Sequence, residues 1–456
     1  MQTAIRNQFR LPEKPLFSAV QLRKLLIPLL LEQALAVTIG MMDTVMVSSC
    51  GEASVSGVSL VDSINVLLIN VFAAMATGGA VVTSQFLGKR DKAQAAAAAK
   101  QLFYVVSLVS LTIMAGCLIF RAQLLSLLFG TVEQDVMDAS LIYFLMTALS
   151  YPFLALYNAS AALLRSEGNA KATLYTSIIM NLINVTGNAV FIFAFSMGAA
   201  GAGLATLISR IVGFVVIQLA LKHPGGDIPY PQLQVLEWRG DLIGKILAVG
   251  VPNGLETGLF QLGKLVLLRL VSTFGTASIT ANAIGNTFGT IQCLFGNAIG
   301  LAMITVVGQC VGAKEYDQAR RYTWLLMKLA YVCMGTLNII MLLCNGIVTK
   351  PFGLSPETDI LARQVVAIHG AGAAVIWPLS FVLPNSLRAS GDARFTMIVS
   401  IFSMATFRIV YGYIFALWFH MGVVSVWVAM QVDWLFRIAC FVHRFRGNKW
   451  QTKALV

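Results

Sequence analysis

Twelve apolar runs divide this chain of 456 residues, at 25–49, 59–84, 99–120, 139–163, 171–195, 199–221, 243–271, 279–308, 322–345, 362–386, 395–418 and 421–442. At about 1.5 Å of rise per residue, a helix of each length crosses or nearly crosses a hydrocarbon layer about 30 Å thick. Only 11% of residues are charged and 57% are hydrophobic, whereas an ordinary soluble domain carries about 25% charged residues. The expected fold class is an all-α polytopic membrane protein with twelve transmembrane helices.

A net charge of +12 and a pI near 9.5 would suggest a nucleic-acid partner in a soluble chain. Here the basic residues gather in short loops after every second span, for example Lys89, Arg90 and Lys92, then Arg165 and Lys171, then Lys314, Arg320 and Arg321. The intervening loops at 50–58, 196–198, 272–278 and 419–420 hold no Lys or Arg. This bias is a topology signal and puts both termini on the cytoplasmic side of a plasma (inner) membrane, with no nucleic acid involved. Residues 1–24 lack a short apolar core with a cleavage site and read as a cytoplasmic tail; 446–456 read as a second one. The cysteines lie mostly in apolar segments without a C-x-x-C pair, so neither a metal centre nor a disulfide framework is expected.

The connection 223–240 is rich in Pro and Gly and falls at mid-chain. It separates an N-terminal six-helix bundle, 25–222, from a C-terminal one, 241–445. Self-comparison supports the division. SQFLGKRDKAQAA at 84–96 matches GQCVGAKEYDQAR at 308–320, and LRSEGNAK at 164–171 matches LRASGDAR at 387–394. Pro28 and Glu32 recur as Pro252 and Glu256, and MGAAG at 197 recurs as MGVVS at 421. Six spans return the chain to its starting side, so the bundles are pseudo-symmetric parallel repeats. Such repeats place a substrate cavity where two rocking bundles meet.

A carboxylate within a span costs about 2.5–3.5 kcal/mol at mid-depth and is usually aimed at a polar cavity. Asp43 in span one is the first candidate for a working group, since its own span offers it no basic partner. Asn184 and Asn188 in span five lie one turn apart on one face. They serve either as packing between helices or, near an acid, as an oxygen-rich proton or small-cation site. Thr206 in span six either bonds its own helix or joins that set. Asn158 follows Pro152 by six residues, where a kink frees carbonyls. Glu32 and Glu256 are repeat-related secondary candidates near an interface. Asp433 and Arg437 suit an intrahelical pair, Lys264, Arg269 and Arg408 suit internal pairing, and His369 suits packing or a local hydrogen bond.

The LRSEGNAK and LRASGDAR turns, NLINVTGN followed by GAAGAGLAT, and VGQCVGAKEYDQA together resemble the multidrug and toxic compound extrusion (MATE) family of secondary transporters, over essentially the whole chain. The resemblance implies two six-helix bundles and export of organic, commonly cationic and amphipathic compounds by antiport with H+ or Na+. It places the family's first-span acid on Asp43 and its polar residues on Asn158, Asn184 and Thr206. The family's fifth-span acid falls on Asn188, one charge fewer than the pattern. A second branch has acids in spans seven and ten; Glu256 matches the former, but 362–386 contains no Asp or Glu. The first-half site is thus favoured, with Na+ at Asp43, Asn184 and Asn188 as one form of coupling.

No cofactor is expected beyond the coupling ion; the partners are small organic molecules and the bilayer, around a monomer. A flippase for lipid-linked saccharides is the alternative of the same architecture. The sequence has no H-E-x-x-H pair, G-x-S-x-G turn or P-loop to support an enzyme, and repeated six-helix halves suit alternating access better than a passive channel.

Overall fold

The computed structural model describes residues 15–130, 133–223, 225–230 and 237–456. The sequence expectations at residues 1–14, and those at Pro224 and Pro231 in the connection, lie outside the described residues. Twelve helical crossings occur among the described residues. In the N-terminal half they are α1 (Ala19–Ser48), α2 (Glu52–Gly88), α3 (Lys92–Ile119), α4 (Gln134–Leu149 and Tyr151–Ser166), α5 (Ala170–Asn188, continued by the π-turn Ala189–Ala194) and α6 (Gly198–Leu221). In the C-terminal half they are α7 (Gly240–Ser272), α8 (Thr276–Gln292 and Leu294–Gly312) and α9 (Tyr316–Leu343). These are followed by α10 (Pro356–Val375, then Pro378–Val382 and Pro384–Ala389), α11 (Ala393–Leu417, with a π-turn at Met404–Val410) and α12 (Val424–Arg446).

The helices run past the apolar runs because backbone bonding continues into the polar ends. The run at 59–84, for instance, becomes Glu52–Gly88. Two crossings are bent, α4 by 43° and α10 by 64°. Pro152 and Pro378 stand at these breaks, where a missing N–H and a ring clash interrupt the helix ladder.

The repeat extends to individual backbone angles. Thirteen described residues have positive φ, and twelve of them form six repeat-related pairs: Gly51/Gly275, Arg90/Lys314, Gly130/Gly353, Gly168/Gly391, Ser196/His420 and Gly198/Gly422. The thirteenth, Gly225, lies in the connection between halves. Helix ends are thus set at the same places twice, by residues turning out of the helix in the left-handed region.

The chain divides into two compact units, Arg23–Gly254 and Leu255–Val456, the latter with the segment ending at Leu22. The division falls inside α7. In the first unit α2 packs against α3 and α4, and α5 lies along α6. Gly187 lets α5 approach closely, since a Cβ there would lie 3.0 Å from that of Ala205. In the second unit α8 packs on α9 and α10, and α12 on α11. Its chain ends are docked. Phe17 N–H donates to the Tyr322 hydroxyl, which donates back to the Phe17 carbonyl. Trp450, fully buried, stacks on Phe445.

The described parts of the connection are fastened to the first unit. Arg239 donates to Gln94 and Gln101, Gln101 donates to the Glu237 carbonyl, and Trp238 stacks on Tyr104. Lys92 pairs with Asp227 at 2.8 Å. The buried Ile228 gives its amide to Glu167 Oε1 at 2.5 Å. Burial pushes the Glu167 carboxyl up to about 7, with Asp227 adding to the rise and the Ile228 amide and Lys92 opposing it. A carboxyl raised by docking stabilises the docked form fully below its ordinary value near 4.5. That contribution is lost as pH climbs through 7. Hydrogen exchange of residues 225–230, corrected for intrinsic chemistry, is therefore expected to speed up between pH 5 and pH 8, and Glu167→Gln is expected to flatten the profile. A wild-type profile already flat would refute the latch.

Candidate functional site

The described part of the predicted first-half site is assembled by α5 and α6. Asn184 Nδ2 donates to Thr206 Oγ1 at 3.4 Å, and Asn188 Nδ2 donates to Asn184 Oδ1 at 3.4 Å. Both asparagines are buried, at 7% and 2% exposure. The Thr206 hydroxyl also donates to the Ala202 carbonyl of its own helix at 2.9 Å. Immediately after Asn188 the helix widens into the π-turn at Ala189–Ala194, a distortion frequent at functional positions.

Asp43 lies on α1; its side chain is outside the described residues. Its level along the bundle follows from its neighbours. Glu32 on α1 accepts a hydrogen bond from Thr173 Oγ1 on α5 at 2.8 Å. Position 43 is eleven residues beyond 32, and Asn184 is eleven beyond 173. Eleven residues make about three turns, or roughly 16 Å. Both helices start at the same end of the bundle, so Asp43 and Asn184 sit at the same depth. Asn158, on α4, has no hydrogen-bond link to this set among the described residues; its buried Nδ2 lacks a partner there.

The secondary candidates are held in ion pairs. Glu32 meets Arg165 at 3.4 Å and Glu256 meets Arg388 at 2.7 Å. Acids and bases alike are repeat-related, and the arginines belong to the LRSEGNAK and LRASGDAR turns. Asp433 and Arg437 form the intrahelical pair expected, at 2.9 Å. The His369 ring bonds Gln292 at 2.5 Å and packs edge-on against Trp427 and Trp434.

Sequence reasoning missed a second polar cluster in the first unit. Asp62 on α2 accepts from Asn65 Nδ2 and from the Tyr143 hydroxyl, each at 3.0 Å. The Tyr151 hydroxyl donates to Asn65 Oδ1 at 2.7 Å, and Arg210 on α6 donates to Ser150 Oγ, at the bend of α4, at 2.7 Å. The available signal was an Asp and an Arg inside the apolar runs 59–84 and 199–221.

Among the described residues no group of three His, Cys, Asp or Glu could hold a metal ion. The Asn184, Asn188 and Thr206 oxygens are the donor type that a small hard cation takes. They carry no formal charge.

The MatE family profile matches residues 28–190 and 252–414, two copies offset by the repeat distance. The uncharacterized transporter YisQ of Bacillus subtilis (strain 168) is 26% identical over 453 residues, covering 97% of each chain. The probable multidrug resistance protein NorM of Thermotoga maritima is 24% identical, covering 96% of this chain and 94% of that protein. Among solved structures, a multidrug resistance MATE family transporter of the MOP superfamily in an outward-facing conformation superposes with a TM-score of 0.88. It is 18% identical, covering 95% of this chain and 96% of that one.

Proposed function

We propose, since the chain belongs to the MatE family of multidrug efflux transporters, that it is a secondary active antiporter, exchanging organic compounds for H+ or Na+ by alternating access of its two bundles. The observation that carries this reading is the buried Asn184–Asn188–Thr206 cluster, level with Asp43 on the parallel helix. An ionised Asp43 attracts a proton, or a sodium ion that the neighbouring carboxamide and hydroxyl oxygens help to hold. Either event removes a charge from the low-dielectric bundle and so changes which arrangement of the bundles is favoured. The ion shifts that equilibrium only by its differential affinity for the two arrangements. Organic substrate bound in the opposite arrangement completes the exchange.

The same reading puts the protein in the plasma membrane with both termini on the cytoplasmic side, following the basic-loop bias. Glu32 and Glu256 belong to the scaffold in this mechanism, because each is held by an arginine. The cationic substrate preference implied by the resemblance draws no support from the acids of the C-terminal unit's spans, since Glu256 and Asp433 are both bound by arginines. The relatives' names support drug export over the flipping of lipid-linked saccharides.

The test is efflux from proteoliposomes holding purified full-length protein, with sodium and pH gradients imposed separately. One of the two gradients is expected to drive transport and its collapse to stop it. Equal rates with and without both gradients would remove the antiport reading.

A further inference from the structure

Around Phe260 the C-terminal unit carries more positive charge than its acids balance among the described residues. Three cations surround one ring: Lys264 Nζ lies 5.3 Å from the Phe260 centroid, Arg408 Cζ 5.0 Å and Arg437 Cζ 5.8 Å. They come from α7, α11 and α12; among the described residues Asp433 pairs with Arg408 and Arg437, and Glu256 also lies near Arg437. Asp433 Oδ1 accepts from Arg437 and from Ser403, while its Oδ2 is 3.9 Å from Arg408. The charge of Glu256 is offset by that of Arg388, 2.7 Å away, and His369, bonded to Gln292, supplies no negative charge. Two positive charges are left over.

Their geometry shows where a counter-charge fits. Arg408 is 7% exposed; one of its nitrogens rests on the Met430 sulfur, a weak acceptor, and its buried Nε has no hydrogen-bond partner among the described residues. Lys264 is exposed and, among the described residues, has no acid within ion-pair distance. An ammonium in a transmembrane helix is costly against lipid and is usually directed at a polar cavity. Beside these groups Phe260 meets Phe381, which stacks on Trp377 and meets Trp434 edge-on. Unspent positive charge beside an aromatic wall is complementary to a flat molecule bearing an acidic group.

We infer that the C-terminal unit holds a binding site for soluble aromatic anions, their carboxylate, sulfonate or phosphate received by Lys264 and Arg408 and their ring system lying against Phe260 and its aromatic neighbours. This rests on the transporter reading and assigns that transporter a substrate class opposite in charge to the one its family resemblance implied.

The experiment is equilibrium binding to the purified full-length protein in neutral detergent, read by fluorescence anisotropy. The probes are 5-carboxyfluorescein, a planar anion, and ethidium, a planar cation of similar size. Wild type is expected to prefer carboxyfluorescein. Lys264→Met is expected to weaken it about tenfold or more, the scale of one lost charge-assisted hydrogen bond, with ethidium unchanged. Lys264→Glu is expected to reverse the preference. Lys264 makes no hydrogen bond that the fold depends on, and monodispersity on gel filtration checks both variants.

Preference of the wild type for ethidium, binding of neither probe, or anion binding indifferent to both substitutions overturns the proposal. So does protection of the site by phosphatidylglycerol without carboxyfluorescein binding, which would make it a lipid-headgroup site. The measurement needs no gradient, so a failure of antiport leaves it readable, and a failure here leaves the gradient test intact.

Discussion

Asp43→Asn is expected to reduce gradient-driven efflux to the level of empty liposomes while leaving the protein inserted, monodisperse and able to bind its organic substrate. The substitution keeps side-chain size and one acceptor oxygen, exchanges the other for an NH2 donor, and removes the ability to carry a negative charge. Asn184, Asn188 and Thr206 then form a site of neutral oxygens, and Asn188 supplies no second acid to stand in. Moving a two-state equilibrium from 1:99 to 99:1 takes about 5.5 kcal/mol of differential binding. Neutral carboxamides and a hydroxyl do not hold a proton at physiological pH, and they hold sodium weakly without a carboxylate. The variant should therefore still visit both arrangements thermally but gain nothing from an imposed gradient. Counterflow of preloaded substrate, which needs no ion gradient, should persist and separates lost coupling from lost folding. Gradient-driven rates equal to wild type in Asp43→Asn would take the coupling role away from span one.

The architecture was legible in the sequence because hydropathy and turn chemistry both repeat. Apolar length marked each crossing. Paired turns such as Gly168/Gly391 and Gly198/Gly422 mark positions where the backbone enters the left-handed region, which glycine tolerates without a Cβ clash. One helix break was readable as well, from Pro152; Pro378 marks the break in α10 and was not singled out beforehand. The break in α8 falls at Cys293, where no Pro or Gly stands, so it follows from packing and left no local signal.

The site was legible in part. Asn184 and Asn188 share a helix face by their spacing alone, and that spacing survives folding. The Asp62 cluster draws on α2, α4 and α6, and the cations around Phe260 on α7, α11 and α12, so neither forms a linear motif. Their members were visible singly as charges in apolar runs; their association depends on which helices touch. The repeat comparison could have paired Glu32 with Arg165 and Glu256 with Arg388, because all four lie in matched segments. Matched acids alone suggest a site, whereas matched acids with matched bases support the scaffold reading.

Breaking the second of those pairs should have the largest effect on stability. Arg388→Gln is expected to destabilise the protein by about 3–5 kcal/mol, the usual cost of stranding one member of a buried ion pair. Both side chains of the pair are about 12% exposed and their contact is 2.7 Å. Arg388 also donates to Asn385, and the second Glu256 oxygen is buried with no hydrogen-bond partner among the described residues. Arg388 is the group in direct contact with the carboxylate, with Arg437 and Ser400 nearby. Glu256→Gln should also destabilise, since it leaves the arginine without its acid. The double substitution Glu256→Gln with Arg388→Gln should recover most of the loss, because two neutral amides remove both buried charges together. Thermal unfolding in detergent measures all three variants against wild type. The double variant also decides what Glu256 does in the cycle. A scaffold pair predicts gradient-driven transport in the refolded double variant with unchanged ion dependence. An acid that carried the coupling ion predicts a stable protein that no longer responds to the gradient, and that outcome would move the coupling site into the C-terminal unit.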